Sequence, residues 1–275
     1  MSEHKLMLDG CINVNENVNI PPVQSANTLF RFFKEPEFLY KTLNRKALVP
    51  RYYGEDVRYL NINEKELIYP TICFCDINIH KLKSHVESYG KYGIAFSKEW
   101  GISNGIQPIN YINSNSVLCK DFGEAFNRTF EKQKSQNRDS TEDGYSILGD
   151  YLLTQMYFMK PITGQMPREG EYKNRNFTDE REWRYIPDIS TIGLPQVVRE
   201  EQNAAKTELN KVLEQEQCSP CWLRFEFEDI RYIILSKETD FDDFCDTLDN
   251  IEMDKNVRRQ IISKVMIWSN VEEDF

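Results

Sequence analysis

The stretch TICFCDINIHKLKSHVESYGKYGIAFS (71–97) decides how this chain is read. TICFCDI (71–77) is apolar and rich in β-formers, so it predicts a strand. INIHKLKSHVESYG (77–90) puts Leu82, His85, Val86 and Tyr89 on one helical face, with Gly90 where a C-cap belongs. YGIAFS (92–97) predicts the next strand. Upstream, TLFRFF (28–33) predicts a strand, and EPEFLYKTLNRK (35–46), with Pro36 near its start, a short helix. Residues 47–66 carry three tyrosines and read as mostly loop.

Downstream, QPINYI (107–112) reads as a strand and 116–135 as a helix with a stripe of Leu118, Phe122, Ala125, Phe126, Thr129 and Phe130. A polar hinge (135–144) separates it from a second helix, 146–160, stopped by Pro161. Residues 161–180 show no period and read as a long loop, of a size that is usually functional or disordered. EREWRYIP (180–187), CWLRFEFED (221–229), IRYIILS (230–236) and VMIWS (265–269) read as strands, with a charged, exposed helix at 196–217 and two more helices between 238 and 264. Hairpin-like strand pairs mixed with helices point to an α+β fold with a mixed or antiparallel sheet, rather than regular βαβ winding. The expected organisation is an N-terminal arm (1–26) and one α+β domain (27–275) with a helical insertion near 114–176.

Composition narrows the function. A 275-residue chain with 40% apolar residues can bury a real core and is too hydrophobic to be disordered. No apolar run approaches a membrane span, and the N-terminus lacks the basic and apolar regions of a secretory signal, so a cytoplasmic location is expected. Seven cysteines without a signal suit reduced thiols. The net charge of −10 argues against a general nucleic-acid coat. Only His4, His80 and His85 are present, which leaves no room for a histidine-rich metal site and argues against a Ser-His-Asp hydrolase. Chemistry is expected to rest on carboxylates, arginines and backbone groups. No P-loop, G-x-G-x-x-G, H-E-x-x-H or G-x-S-x-G motif occurs.

The densest polar cluster is Glu180-Arg181-Glu182-Trp183-Arg184. Strand alternation puts Glu180, Glu182 and Arg184 on one face, which suits a cation or developing positive charge; a salt-bridged solvent face on an edge strand is the competing reading. Arg31 stands among Leu29, Phe30, Phe32 and Phe33, and a charge there needs a partner or a ligand unless it faces water. Asp76 ends an apolar strand and points to a cleft or caps the next helix. Tyr89-Gly-Lys-Tyr92-Gly allows close backbone approach, or is an ordinary turn. His85 reads either as a hydrogen-bonded core residue or as a functional one. Cys73, Cys75, Cys218 and Cys221 could offer four thiolates to zinc, but buried free cysteine is the commoner case and no metal is expected.

Several segments together resemble the AbiGi family, named as the antitoxin side of a bacterial abortive-infection phage-resistance pair. They are YPTICFCDINIHKLKSHVESYGKYGIAFSKEWGISNGIQPINYI (69–112), KPITG (160–164), FTDEREWRYIP (177–187) and LRFEFEDIRYIILSKE (223–238), with TLFRFFKEPEFLYKTLNRKALVPRYY before them. The block order is more loosely similar to ADP-ribosyltransferase-like toxins of the DarT kind. That likeness implies an NAD site. Arg31 would grip the dinucleotide, and Tyr89 and Tyr92 would lie near nicotinamide. Ser97 and Asp76 would complete the cofactor-binding set, and Glu182, helped by Glu180, would be the catalytic acidic residue. Nucleic acid would enter only as a modified substrate. The alternative is a non-catalytic antitoxin that neutralises a partner toxin, whose basic surface would suit the acidic charge.

Overall fold

The computed structural model describes residues 24–135, 144–168 and 171–274. Most of the expected N-terminal arm and of the polar hinge therefore lies outside the described residues.

The first half of the chain runs β1 (Thr28–Phe33), α1 (Pro36–Arg45), β2 (Ala47–Leu48), β3 (Arg51–Asp56), β4 (Glu66–Cys75), α2 (Lys83–Tyr89), β5 (Tyr92–Ser97), α3 (Lys98–Ser103), β6 (Gln107–Pro108) and β7 (Asn110–Ile112). Two long helices follow, α4 (Val117–Ser135) and α5 (Gly144–Tyr157), then β8 (Met159–Pro161), β9 (Thr163–Arg168), β10 (Glu171–Asn176) and β11 (Glu182–Tyr185). The rest is β12 (Val198–Arg199), α6 (Ala205–Leu213), β13 (Leu223–Arg224), β14 (Ile230–Leu235), α7 (Asp240–Asp249), α8 (Lys255–Ile262), β15 (Val265–Ile267) and α9 (Trp268–Glu272).

The fold is α+β. Among the described residues the main sheet has nine strands, ordered β15-β14-β5-β1-β4-β11-β6, with β3 and β12 also paired to β4. Its ladders are antiparallel except β14–β15. The strand–helix–strand stretch that opens the sequence reading does not make adjacent strands. β1 lies between β4 and β5, because α2 carries the chain past it.

β4 organises the molecule. Its first half pairs with β3 and β12, and its second half with β11. β1 meets it at the single pair Phe30↔Cys75 and otherwise follows β5 along its whole length. The space between β1 and β3 along β4 thus has no strand to fill it.

Apolar alternation on these strands feeds two layers. Leu29, Phe74 and Phe96 pack with α1, α3 and α7 through Leu39, Leu43, Trp100, Phe244 and Leu248. Phe30, Phe32 and Cys75 pack on the other side with Leu82, Val86 and Trp268. Each such side chain contributes about 1.5–3 kcal/mol on full burial. A third cluster joins α4 and α5 to β4 through Cys119, Phe122, Phe126, Leu152, Met156 and Tyr69. α4 crosses close enough that a Cβ on Gly123 would lie 2.2 Å from the Leu60 carbonyl oxygen, so only glycine fits there.

Several local expectations change. Residues 47–66 are not mostly loop: β2 and β3 lie there, and Tyr52 is buried with its hydroxyl donating to the Pro195 carbonyl at 2.6 Å. The 161–180 loop is a hairpin, β9 against β10, followed by a 3-10 turn at Phe177–Glu180. Glu180 is therefore outside strand β11, and Arg181 between them has φ 43°. The alternation of CWLRFEFED buries Leu223, Phe225 and Phe227 as expected, yet only two residues form a strand, because β13 finds only the short β2 to pair with. Within 196–217 the helix is confined to α6, and 107–112 is split into β6 and β7.

Candidate functional site

The gap along β4 is a cavity of about 290 Å³. Phe30, Arg31 and Phe32 line it from β1, Tyr53 to Glu55 from β3, and Cys73 to Cys75 from β4. α2 adds His85 and Tyr89, and the far wall is Lys160, Met166, Glu180 and Glu182. Arg31 Nη1 donates to the Cys73 carbonyl at 3.1 Å, so its guanidinium bridges two strands that are not paired at that point. Among the described residues it pairs with no carboxylate.

The far wall is a buried ion lattice. Glu182 has both oxygens engaged: Oε1 accepts from Arg184 Nε at 2.6 Å and Oε2 from Lys160 Nζ at 2.9 Å. Lys160 also donates to Glu180 Oε2 at 2.7 Å and sits 4.7 Å over the Phe177 ring. Glu180 Oε1 accepts from the Tyr89 hydroxyl at 2.5 Å and pairs with Arg175 Nε at 3.1 Å. Arg184, fully buried, spends its remaining nitrogens on Glu55 (2.9 Å), the Tyr69 hydroxyl (2.6 Å) and the Tyr157 carbonyl (2.8 Å). Three carboxylates thus meet three cations, and the lattice is formally neutral.

That balance explains how charges survive burial. Desolvation alone would push the Glu182 carboxyl up, but Arg184 and Lys160 outweigh it and hold the group well below the usual carboxylate range. Burial would likewise push the Lys160 ammonium down, and Glu182, Glu55 and Glu180 reverse this. Burial and then Glu182 push the Cys73 thiol up to about 12, so it stays protonated and unreactive at neutral pH.

Local structure places each group. α5 ends at Tyr157, before Pro161, and the chain passes directly into β8. There Lys160 sits opposite Tyr111 on the parallel strand β7, and the Tyr111 hydroxyl accepts from the Glu182 backbone N–H at 2.9 Å. Strand alternation aims Glu182 and Arg184 to the same buried face. Gly90, with φ 122°, closes α2 and sets Tyr89 against Glu180.

The structure brings together Arg31, Tyr89, Glu180 and Glu182. It does not bring Tyr92, Ser97 or Asp76 to this cavity. Tyr92 lines a neighbouring groove and its hydroxyl donates to Asp240 at 3.1 Å. Ser97 caps α3, accepting from the Trp100 N–H at 3.1 Å. Asp76 pairs with Lys98 at 2.8 Å beside another cleft. Cys218 and Cys221 belong to a different apolar cluster from Cys75, so the four thiols do not converge. Among the described residues no group of three or more His, Cys, Asp or Glu side chains could hold a metal ion.

Lys160, Arg175 and Glu55 complete the site and do not stand out in the sequence. KPITG carries Lys160 inside a block of family resemblance, and that is the one prior signal among them. His85, which the sequence offers as a core or a functional residue, also lines the cavity. Among the described residues no helix is long and apolar enough to cross a membrane.

Comparison with known proteins agrees with the block resemblance. The family model described as "Putative abortive phage resistance protein AbiGi, antitoxin" matches residues 46–236, a span that contains β4, α2 and the lattice. The abortive phage resistance protein AbiGi of Lactococcus lactis subsp. cremoris is 30% identical over 251 residues, covering 83% of this chain and 100% of that protein. No solved structure matches the chain. On the extent of these two matches, this chain belongs to the AbiGi family of abortive phage resistance proteins.

Proposed function

We propose that this phage-defence protein acts by binding an NAD-type dinucleotide in the β1–β4 cavity and transferring its ADP-ribosyl group, on an ADP-ribosyltransferase-like fold. One observation carries this: Arg31 and Glu182 line the same cavity. Arg31, without a carboxylate partner among the described residues, suits a phosphate, and Phe30, Phe32 and Tyr89 suit a planar ring. The cavity is near the small end of ligand pockets, about 300–1,000 Å³. It takes part of a dinucleotide, and Met166 also lines the adjoining groove of about 680 Å³, where the rest would lie.

When bound, NAD supplies the ADP-ribosyl group. Glu182 supplies a fixed, ionised carboxylate at the cavity wall, oriented at both oxygens. Its depressed pKa makes it an electrostatic group rather than a proton carrier near neutral pH. Glu180 holds Tyr89 in place against the ligand space. Nucleic acid is a candidate only as the modified substrate.

The test is NAD consumption by purified protein, with Glu182→Gln as the comparison. Loss of one positioned electrostatic group lowers the rate by about 10²–10³. Equal turnover by the two proteins would remove the catalytic role.

A second reading, a non-catalytic antitoxin, draws on the family description and on one surface feature. Ile147, Leu148 and Tyr151 are exposed on α5. An exposed apolar centre on a chain of net charge −10 suits a toxin with a basic rim. Under this reading Glu182→Gln still rescues cells from the cognate toxin on co-expression. Both readings have the protein act in the bacterial cytoplasm.

A further inference from the structure

We propose that two open grooves beside the cavity form one track that binds a single-stranded polynucleotide along its phosphates. The binding does not depend on what the cavity itself holds. Only the use of such a strand as the modified substrate rests on the transfer reading.

The first groove, of about 680 Å³, lies between α2 and the β9–β10 hairpin. The second, of about 650 Å³, lies between the start of α2 and the turn that enters β11. Ser84 and Asp179 line both, so the two run into one another. The first meets the cavity at Met166 and the second at Glu182, which places the track alongside it.

The charge of this surface runs against that of the chain. Lys34, Lys91, Lys173 and Arg175 line the first groove, and Lys81 and Arg181 the second. They come from β10 and from four connecting segments, so the fold gathers them and no local run of the sequence does. Lys34, Lys81, Lys173 and Arg181 are exposed and pair with no carboxylate among the described residues. Lys91 reaches Glu272 only at 3.8 Å, and Arg175 is held by Glu180 and Ser88. Against these cations the track is lined by Glu87 and Asp179, and by Asp76 and Glu182, whose charges Lys98 and then Arg184 and Lys160 already match. In a chain of net charge −10, a local excess of cations marks the place of an anionic partner.

The spread of the cations selects the form of that partner. A compact anion needs donors that converge on one point. These are strung along two joined grooves, where a chain of phosphates meets them in succession. Tyr111 and Trp183 line the second groove and are side chains of the kind on which unpaired bases stack. A duplex keeps its bases stacked on one another and offers none to such groups.

Fluorescence anisotropy on the full chain tests this, with labelled oligonucleotides of about 12 nucleotides. Single-stranded DNA and RNA of one sequence identify the source of the phosphates, and the DNA annealed to its complement is the comparison. The wild type should bind a single strand at least about tenfold more tightly than the duplex, with log affinity falling against log salt at a slope of about −3 to −4. Lys34→Gln with Lys173→Gln should weaken binding by about tenfold or more near about 0.1 M salt and take about 1.4 from the slope. Lys81→Gln with Arg181→Gln should do the same. Lys255→Gln with Arg259→Gln on α8 removes equal charge from exposed residues that line neither groove, and should change neither quantity. No binding of either strand at about 50 mM salt, a duplex bound as tightly as the strand, or an equal loss from the α8 pair overturns the track. Strand binding by a protein that consumes no NAD overturns the transfer reading and leaves the track standing.

Discussion

Two buried ion clusters lie on strand β4 and its neighbours, and they are built differently. In the lattice around Glu182, every carboxylate oxygen of Glu180 and Glu182 has a cation or hydroxyl, and Arg184 donates through Nε, Nη1 and Nη2. In the second cluster Lys98 bonds Asp76 Oδ2 at 2.8 Å and Ser25 at 2.9 Å and sits 5.4 Å over the Trp183 ring. Asp76 Oδ1 there is buried with no partner among the described residues. The lattice draws on six charged residues from β3, β8, β10 and β11 and from the turn before β11, whereas the pair joins the end of β4 to the start of α3. A buried charge is tolerable when its neighbours replace the whole of its hydration, and costly when they replace part of it. The lattice is therefore a fully paired wall of the cavity, and the pair is a local tie between two elements.

The largest expected effect comes from breaking the lattice at its centre. Lys160→Met leaves Glu180 and Glu182 facing each other without their shared cation. It should cost about 3–5 kcal/mol in equilibrium denaturation. A cost no larger than that of Lys98→Met would end the distinction between the two clusters.

Acid should expose the same wall more gradually. The His85 imidazole is depressed from 6.5 to about 3 in the fold, so between those values the unfolded chain binds the proton that the native state refuses. Stability is then fully present above pH 6.5 and falls as pH drops, by up to about 1.4 kcal/mol per pH unit. Glu182, also depressed, adds a loss of the same sign once pH passes below its ordinary value of 4.5. Denaturation midpoints measured from pH 7 to 5 isolate the histidine, because the carboxylate contribution starts lower. His85→Phe should flatten that part of the curve; an unchanged slope would show that other groups produce it.

The smallest effect marks the far end of the comparison. Lys211 and Glu208 form an exposed i,i+3 pair on α6 at 2.8 Å. Glu208→Gln should change stability by less than about 0.5 kcal/mol, and 1 M salt should erase the difference in the same denaturation assay.

Legibility in the sequence follows the range of the forces involved. β1 and β5 were readable from β-propensity and alternation over six residues each, and α1 from Pro36 and its apolar face. The β9–β10 hairpin was not, since GQMPREGEYKNR has no apolar alternation and its register comes from pairing alone. EREWR was legible as a polar cluster, but its geometry was not: Arg181 turns the backbone to φ 43°, and Glu180 reaches the lattice from a 3-10 turn instead of from the strand face. Tyr92 carried the same local signal as Tyr89, and Ser97 came only with the looser block resemblance; the packing of α7 and α3 takes them to Asp240 and to a helix cap.

The sequence by itself determined the α+β class, the strand and helix faces near β1, α1 and β5, and the family blocks, because propensity, periodicity and block order are properties of neighbouring residues. The tertiary structure alone decided that Glu182 meets Lys160 from 22 residues away, and that Arg184 meets Glu55 from 129. It alone decided that the His85 side chain lines the same cavity as Arg31, with its Nδ1 buried and without a hydrogen-bond partner among the described residues. Ion pairing and desolvation act through space, so no local pattern records which charges a fold brings together.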